Sequence, residues 1–265
     1  MTCLLAVVMT SLASPDLANA PIPLPFLSEV APGFDLAPAA ADGPPPEELD
    51  KWKGSVTVGM TYADGNTNRK TGSATANVSK RREKDRTTFG FLWNYAKEDG
   101  ATTDRRTIAT AKYDYFLSKK AYALAQASAE GDLAAQLELR AIVGVGAGYQ
   151  FVEDEKWKLS GEAGLSYVDE NYKDNTADAD FIAARFAYNV DYKPNDTWQV
   201  GQTGEIYPSL EDTDDVSARV DTHGKLMLTK SMLAQLQWLF SWDNTPATGA
   251  ERADNLVLLT VGWSF

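Results

Sequence analysis

The stretch DNLVLLTVGWSF, residues 254–265, decides the fold. Val257, Leu259, Val261 and Trp263 fall at every second position, and the stretch closes on the aromatic Phe265. Alternation with a period of two is the pattern of a β-strand with two unlike faces. A chain terminus is usually polar because it buries little, so an apolar, aromatic ending is expected to be structural.

The same period recurs upstream. In KWKGSVTVGMTY (51–62), Trp52, Val56, Val58, Met60 and Tyr62 oppose Lys53, Ser55, Thr57 and Thr61. TGSATANVSK (71–80) and RTTFGFLWNYA (86–96) repeat it, the latter with Phe89, Phe91, Trp93 and Tyr95 on one face. Further strands are expected at 105–116, 121–130, 137–151, 157–168, 179–192, 198–207, 216–228, 232–242 and 254–265. The resulting twelve strands form an even set, and most reach the roughly 9–11 residues a tilted strand needs to cross a bilayer. Segment 121–143, AYALAQASAEGDLAAQLELRAIV, is rich in helix formers. Gly131-Asp132 and the alternation of Leu137, Leu139, Ala141 and Val143 favour strand, loop and strand there.

The connections alternate as well. Polar stretches such as KEDGATTD (97–104), DENYKDNTAD (169–178) and SLEDTDD (209–215) follow odd-numbered strands, and short LSKK, KPND and TKS follow even-numbered ones. Long loops at one end and tight turns at the other are expected of an up-and-down outer-membrane barrel. Parity alone does not separate this from a soluble β-sandwich. The aromatic residues cluster near strand ends, as interfacial girdles would, and this favours the barrel.

Composition narrows the partners. The chain has 265 residues with 37 acidic and 25 basic side chains, a net charge of −12, which argues against nucleic acid as a partner. One cysteine, Cys3, and one histidine, His223, leave little for a Cys/His metal site, and no cofactor is expected. Residues 3–13, CLLAVVMTSLA, form a short apolar run followed by Ala18-Asn19-Ala20, and 1–20 reads as a secretory signal peptide although no Lys or Arg precedes the run. Nine of the twelve prolines lie between Pro15 and Pro46, so 21–50 is expected to be a proline-rich, disordered periplasmic segment. The barrel is expected over 51–265.

GNTN after the first strand, GVGAGYQF (144–151), LSGEAGLSYVDENY (159–172) and the closing VGWSF resemble the YdiY-like, salt-induced outer-membrane proteins, a family defined by a domain of unknown function. The likeness spans about residues 51–265. It implies a barrel in the outer membrane of a Gram-negative bacterium, surrounded by lipid and lipopolysaccharide, with a link to salt or osmotic stress and no agreed substrate. Val261, Trp263 and Phe265 are similar to the terminal signal read by the barrel-assembly machinery. That machinery and periplasmic chaperones are therefore the expected partners, with a monomer as the expected state.

One parity of the strands carries a set of charges expected to line the lumen: Arg106, Lys112, Asp114, Glu138, Arg140, Glu162, Arg185, Asp191, Glu205, Arg219, Asp221 and Lys225. With Lys158, Gln235 and Gln237 they make either a paired network that braces the wall or the lining of a narrow pore. Glu130, Asp132, Asp169, Glu170, Asp174, Asp178, Glu211, Asp212, Asp214 and Asp215 read as an acidic loop surface, solvated and repelling. A barrel-embedded lipid hydrolase is the competing function, with His223 and Asp221 as base and orienting acid. Ser217 lies six residues, about 20 Å, from His223 along an extended strand. No catalytic residue is therefore assigned.

Overall fold

A computed structural model describes residues 49–63, 68–173 and 176–265. The signal segment, most of the proline-rich stretch, residues 64–67 of the first loop and Asp174 of the acidic loop residues lie outside the described residues. Twelve strands follow in chain order: β1 Trp52–Ala63, β2 Arg69–Arg81, β3 Asp85–Glu98, β4 Ala101–Phe116, β5 Ala121–Asp132, β6 Leu137–Glu153, β7 Trp157–Tyr172, β8 Ala179–Tyr192, β9 Trp198–Pro208, β10 Val216–Met227, β11 Met232–Asp243 and β12 Ala253–Ser264. Each pairs antiparallel with its chain neighbours, and β12 returns to β1 to close the barrel. The segment rich in helix formers is β5, residues 133–136 and β6. Every backbone group in a ladder has a partner that an isolated Ala-rich helix would have to supply alone, and tertiary pairing overrides the local preference.

Closure is brief. Pairing between β1 and β12 runs from Ser55 opposite Ser264 to Val58 opposite Val261, the shortest of the twelve ladders. Gly54 and Phe265 extend it by exchanging backbone hydrogen bonds of 2.9 and 3.0 Å. Phe265 is thus the last rung of the β1–β12 ladder.

The outer face is largely apolar. Val58, Phe91, Val145, Phe186, Leu259 and Val261 all stand exposed on it. Aromatic pairs band the turn end, with Trp157 stacked on Tyr192 at 4.1 Å and Trp52 on Phe89 at 6.1 Å. Trp93 and Tyr95 stack at 6.2 Å toward the other end.

Three details depart from the sequence reading. KEDGATTD is mostly strand: Asp99 and Gly100, at φ of 48° and 89°, make a two-residue hairpin between β3 and β4. Both positions need the left-handed region that Asp-Gly tolerates. A bulge between Leu137 and Leu139 in β6 then displaces Glu138. Glu138 lies exposed and outside the lumen, whereas Leu137, expected on the outer face, is 2% exposed and points inward. An extra residue at a bulge shifts the inside–outside alternation by one. Finally, the inward face is partly apolar. Ile142, Val168, Phe181, Ala183 and Tyr207 form one cluster, Leu92, Ile108, Leu239 and Leu258 a second, and Phe116, Tyr122 and Leu124 a third. Twelve strands enclose a space narrow enough for side chains to pack across it.

Candidate functional site

The lumen charges are organised in three levels. At the loop end, Arg106 on β4 donates to Glu130 on β5 at 2.8 and 3.0 Å, and lies 3.2 Å from Asp132. It also crosses the lumen to Asp254 on β12 at 2.9 Å and Ser241 on β11 at 2.7 Å. Arg219 on β10 reaches the other oxygen of Glu130. Arg140 on β6 pairs with Glu170 on β7 and, at 2.7 Å, with Asp243 on β11. Arg106, Glu130 and Asp132 are all buried, so each charge needs these partners to offset its lost hydration.

The middle level is a chain of bonds around Glu162 on β7. Lys112 and Arg185 pair with its two oxygens, the latter at 2.9 Å, and the Tyr122 hydroxyl donates to it at 2.7 Å. Arg185 donates to the Tyr207 hydroxyl at 3.2 Å, and Tyr207 donates to Glu205 at 2.9 Å. Arg86 on β3 holds Asp114 at 2.7 Å. Toward the turn end, Asp191 and Asp221 each lie 3.8 Å from His223, and Lys225 spans to Ser55 on β1 at 3.4 Å.

Eleven of the twelve charges assigned to the lumen from the sequence are therefore found there, Glu138 being the exception. Three residues expected in the acidic loops, Glu130, Asp132 and Glu170, are instead buried lumen partners. Strands β5 and β7 run past Glu130 and Val168, where the sequence reading ended them, to Asp132 and Tyr172, and the inward parity runs with them. Tyr122, Tyr207 and Arg86 share that parity and carry no signal beyond it. Among the remaining acids, Asp215 in the loop 209–215 has its carboxyl pushed above the ordinary range, with burial as the leading cause. A hydrogen bond from Thr245 at 3.0 Å acts in the opposite direction and ties that loop to the loop 244–252.

Two chambers flank the loop-end network. The smaller, about 70 Å³, lies among Arg106, Glu130, Arg140 and Asp243 beneath Pro246 and Ala247 of the loop 244–252. The larger, about 440 Å³, is lined by Lys51, Lys53, Arg81, Arg86, Lys112, Lys158, Arg185 and Arg219 against Glu153, Glu162, Asp191 and Glu205. Glu205, Tyr207 and Arg219 line both. Among the described residues no group of three or more His, Cys, Asp and Glu side chains is placed to hold a metal ion. Ser217 faces Tyr207 and Asp243, whereas His223 faces Gly201 and Gln237, so the two stay six residues apart along β10.

A closed antiparallel barrel that is apolar outside and charge-paired within inverts the soluble pattern and defines an up-and-down β-barrel of the outer-membrane type. Residues 56–265 match the family described as "Protein of unknown function, DUF481", and the chain belongs to that family. No curated protein matches it. Solved structures similar to it include the NanC porin, at 8% identity and a TM-score of 0.49 over 80% of this chain and 100% of that one. The translocator domain of autotransporter NalP from Neisseria meningitidis is similar at 12% identity and a TM-score of 0.42, over 81% and 86% of the two chains. The outer membrane channel DcaP of Acinetobacter baumannii is similar at 12% identity and 0.37, over 81% and 97%.

Proposed function

We propose that this chain is a monomeric barrel of the bacterial outer membrane and a narrow, charge-gated path for small solutes or ions, with no enzymatic activity. The observation that carries the reading is the pair of lumen chambers meeting at Glu205, Tyr207 and Arg219, where one ion pair, Arg219 with Glu130, bridges opposite walls. Fixed charges at such a constriction set the electrostatic barrier to a passing ion. Ion pairs reached by lumen water weaken as salt rises, which agrees with the salt or osmotic setting that the family resemblance implies. Lipid and lipopolysaccharide surround the wall in this reading, and the assembly machinery and chaperones deliver it.

Membrane placement is tested by charge on the outer face. Arg at Val145, exposed at the middle of β6, is expected to cost about 2–4 kcal/mol in vesicle refolding titrations. Arg at Ala187, which faces the larger chamber, is expected to cost less. At Gly146 and Ala183 the inward face has no room: a Cβ at Gly146 would lie 2.5 Å from the Ala163 carbonyl, and Ala183 is fully buried. Equal costs at Val145 and Ala187 would remove the inside–outside assignment.

Conduction is tested in planar bilayers. Small current steps are expected, with Arg219→Gln changing their size and ion selectivity and His223→Ala leaving them nearly intact. The competing lipid hydrolase predicts instead that His223→Ala abolishes release of fatty acid from phospholipid or lipopolysaccharide. Acyl release that depends on His223 would overturn the proposal, as would the absence of any current.

A further inference from the structure

We propose that the larger chamber is a binding site for a small multivalent oxyanion of carboxylate or phosphate chemistry, entered from the turn end. Its physiological meaning as solute selection rests on the path proposed above, but binding itself requires no conduction. The first support is charge. The chain as a whole is at −12, yet eight Lys and Arg line this chamber against four carboxylates, and eight against six when Asp114, which pairs with Arg86 and Lys112, and Glu130, which pairs with Arg219, are counted with them. The carboxylates are also largely committed: Glu162 to Lys112 and Arg185, Glu205 to Tyr207, and Asp191 to Asn189 and Gln199 at 3.0 and 3.3 Å.

The second support is Arg81. Its guanidinium carbon lies 3.3 Å from the Phe116 ring centre, and its Nε and Nη1 are shielded from solvent without a hydrogen-bond partner. One oxygen of Glu153 in the same chamber is likewise unpartnered, so Glu153 is the countercharge an incoming anion must outcompete. A guanidinium held on an aromatic ring with N–H groups left unpaired supplies the donor geometry that planar oxyanions take. Volume is the third support, since about 440 Å³ holds roughly fifteen waters at 30 Å³ each. That is room for an anion of about a dozen heavy atoms with part of its hydration.

The two ends of the barrel reinforce the direction of entry. The connections 82–84, 117–120, 154–156, 193–197 and 228–231 carry seven Lys and Arg against four Asp and Glu. The opposite loop 209–215 carries Glu211, Asp212, Asp214 and Asp215 with no base. Such a gradient draws anions to the turn-end mouth and repels them from the other.

The test is calorimetric titration of the refolded full chain in detergent at low salt with citrate, inorganic pyrophosphate and spermidine. Saturable binding of citrate or pyrophosphate is expected, with spermidine silent, and the stronger of the two anions identifies carboxylate or phosphate as the preferred source. Arg81→Gln should weaken that binding about tenfold, and Glu153→Gln should strengthen it, an outcome that a purely structural role for the pair would not give. Heat-modifiable gel mobility confirms that each variant is folded. If Arg81→Gln does not fold, Lys158→Gln replaces it with the same expected direction. Spermidine binding as well as the anions, no anion binding at millimolar concentration, or affinity unmoved by both substitutions would overturn the proposal. Binding without bilayer current would leave this site standing and remove the path, whereas current without binding would do the reverse.

Discussion

Glu130→Ala is expected to destabilise the barrel by about 3–5 kcal/mol, the cost of removing one partner from a buried ionic cluster. Glu130 alone joins Arg106 on β4 to Arg219 on β10. Without it, Arg219 loses its carboxylate at the constriction, while Arg106 keeps Asp132 and Asp254. Adding Arg219→Met should therefore recover part of the loss, since an apolar side chain leaves no unpaired charge behind. Glu138→Ala is the control. Glu138 lies exposed at the β6 bulge, and its removal should fall within about 0.5 kcal/mol of the parent. Urea titrations of refolding into vesicles compare the three. A Glu130→Ala cost no greater than that of Glu138→Ala would mean that the loop-end network does not brace the wall.

The pairing of these two glutamates also marks what the sequence could disclose. Strand number, closure and the inward parity of Arg106, Arg140, Arg185 and Arg219 follow from local alternation, because a side chain's face is fixed by its position modulo two. Glu138 escapes that count because one bulge breaks it, and nothing in LELR marks a bulge. Glu130, Asp132 and Glu170 escape it for a different reason. Polar residues end a strand in a soluble sheet, but in this barrel they continue inward where Arg106 and Arg140 await them. Only the partner strands decide between those outcomes, and the partners are distant in sequence. The apolar clusters inside the lumen were hidden similarly: Ile108 and Leu239 are apolar on the face read as polar, and the barrel's narrowness, which lets them meet, is a property of the whole ring.

Gly262→Val is expected to abolish barrel closure. A Cβ at Gly262 would overlap the Val56 carbonyl oxygen and sit 2.6 Å from the Thr57 Cα, which are backbone atoms of the opposing strand and cannot turn aside. Gly262 stands opposite Thr57 in a ladder that spans only Ser55–Val58, so displacing that one rung disturbs most of the seam. Phe265 plays a separable part. Its backbone exchanges hydrogen bonds with Gly54, but the residue is 62% exposed and shares the outward parity of Trp263 and Val261. Phe265→Ala preserves the closing bonds and removes the aromatic side chain that the assembly machinery is proposed to read. The purified chains should then separate: Gly262→Val gives no compact band on an unheated gel after refolding into vesicles, whereas Phe265→Ala refolds close to the parent. In cells both should lose outer-membrane yield, the first because it cannot close and the second because it is not delivered. Normal refolding of Gly262→Val would place closure elsewhere than at the β1–β12 ladder. Normal cellular yield of Phe265→Ala would show that its ring is not the assembly signal.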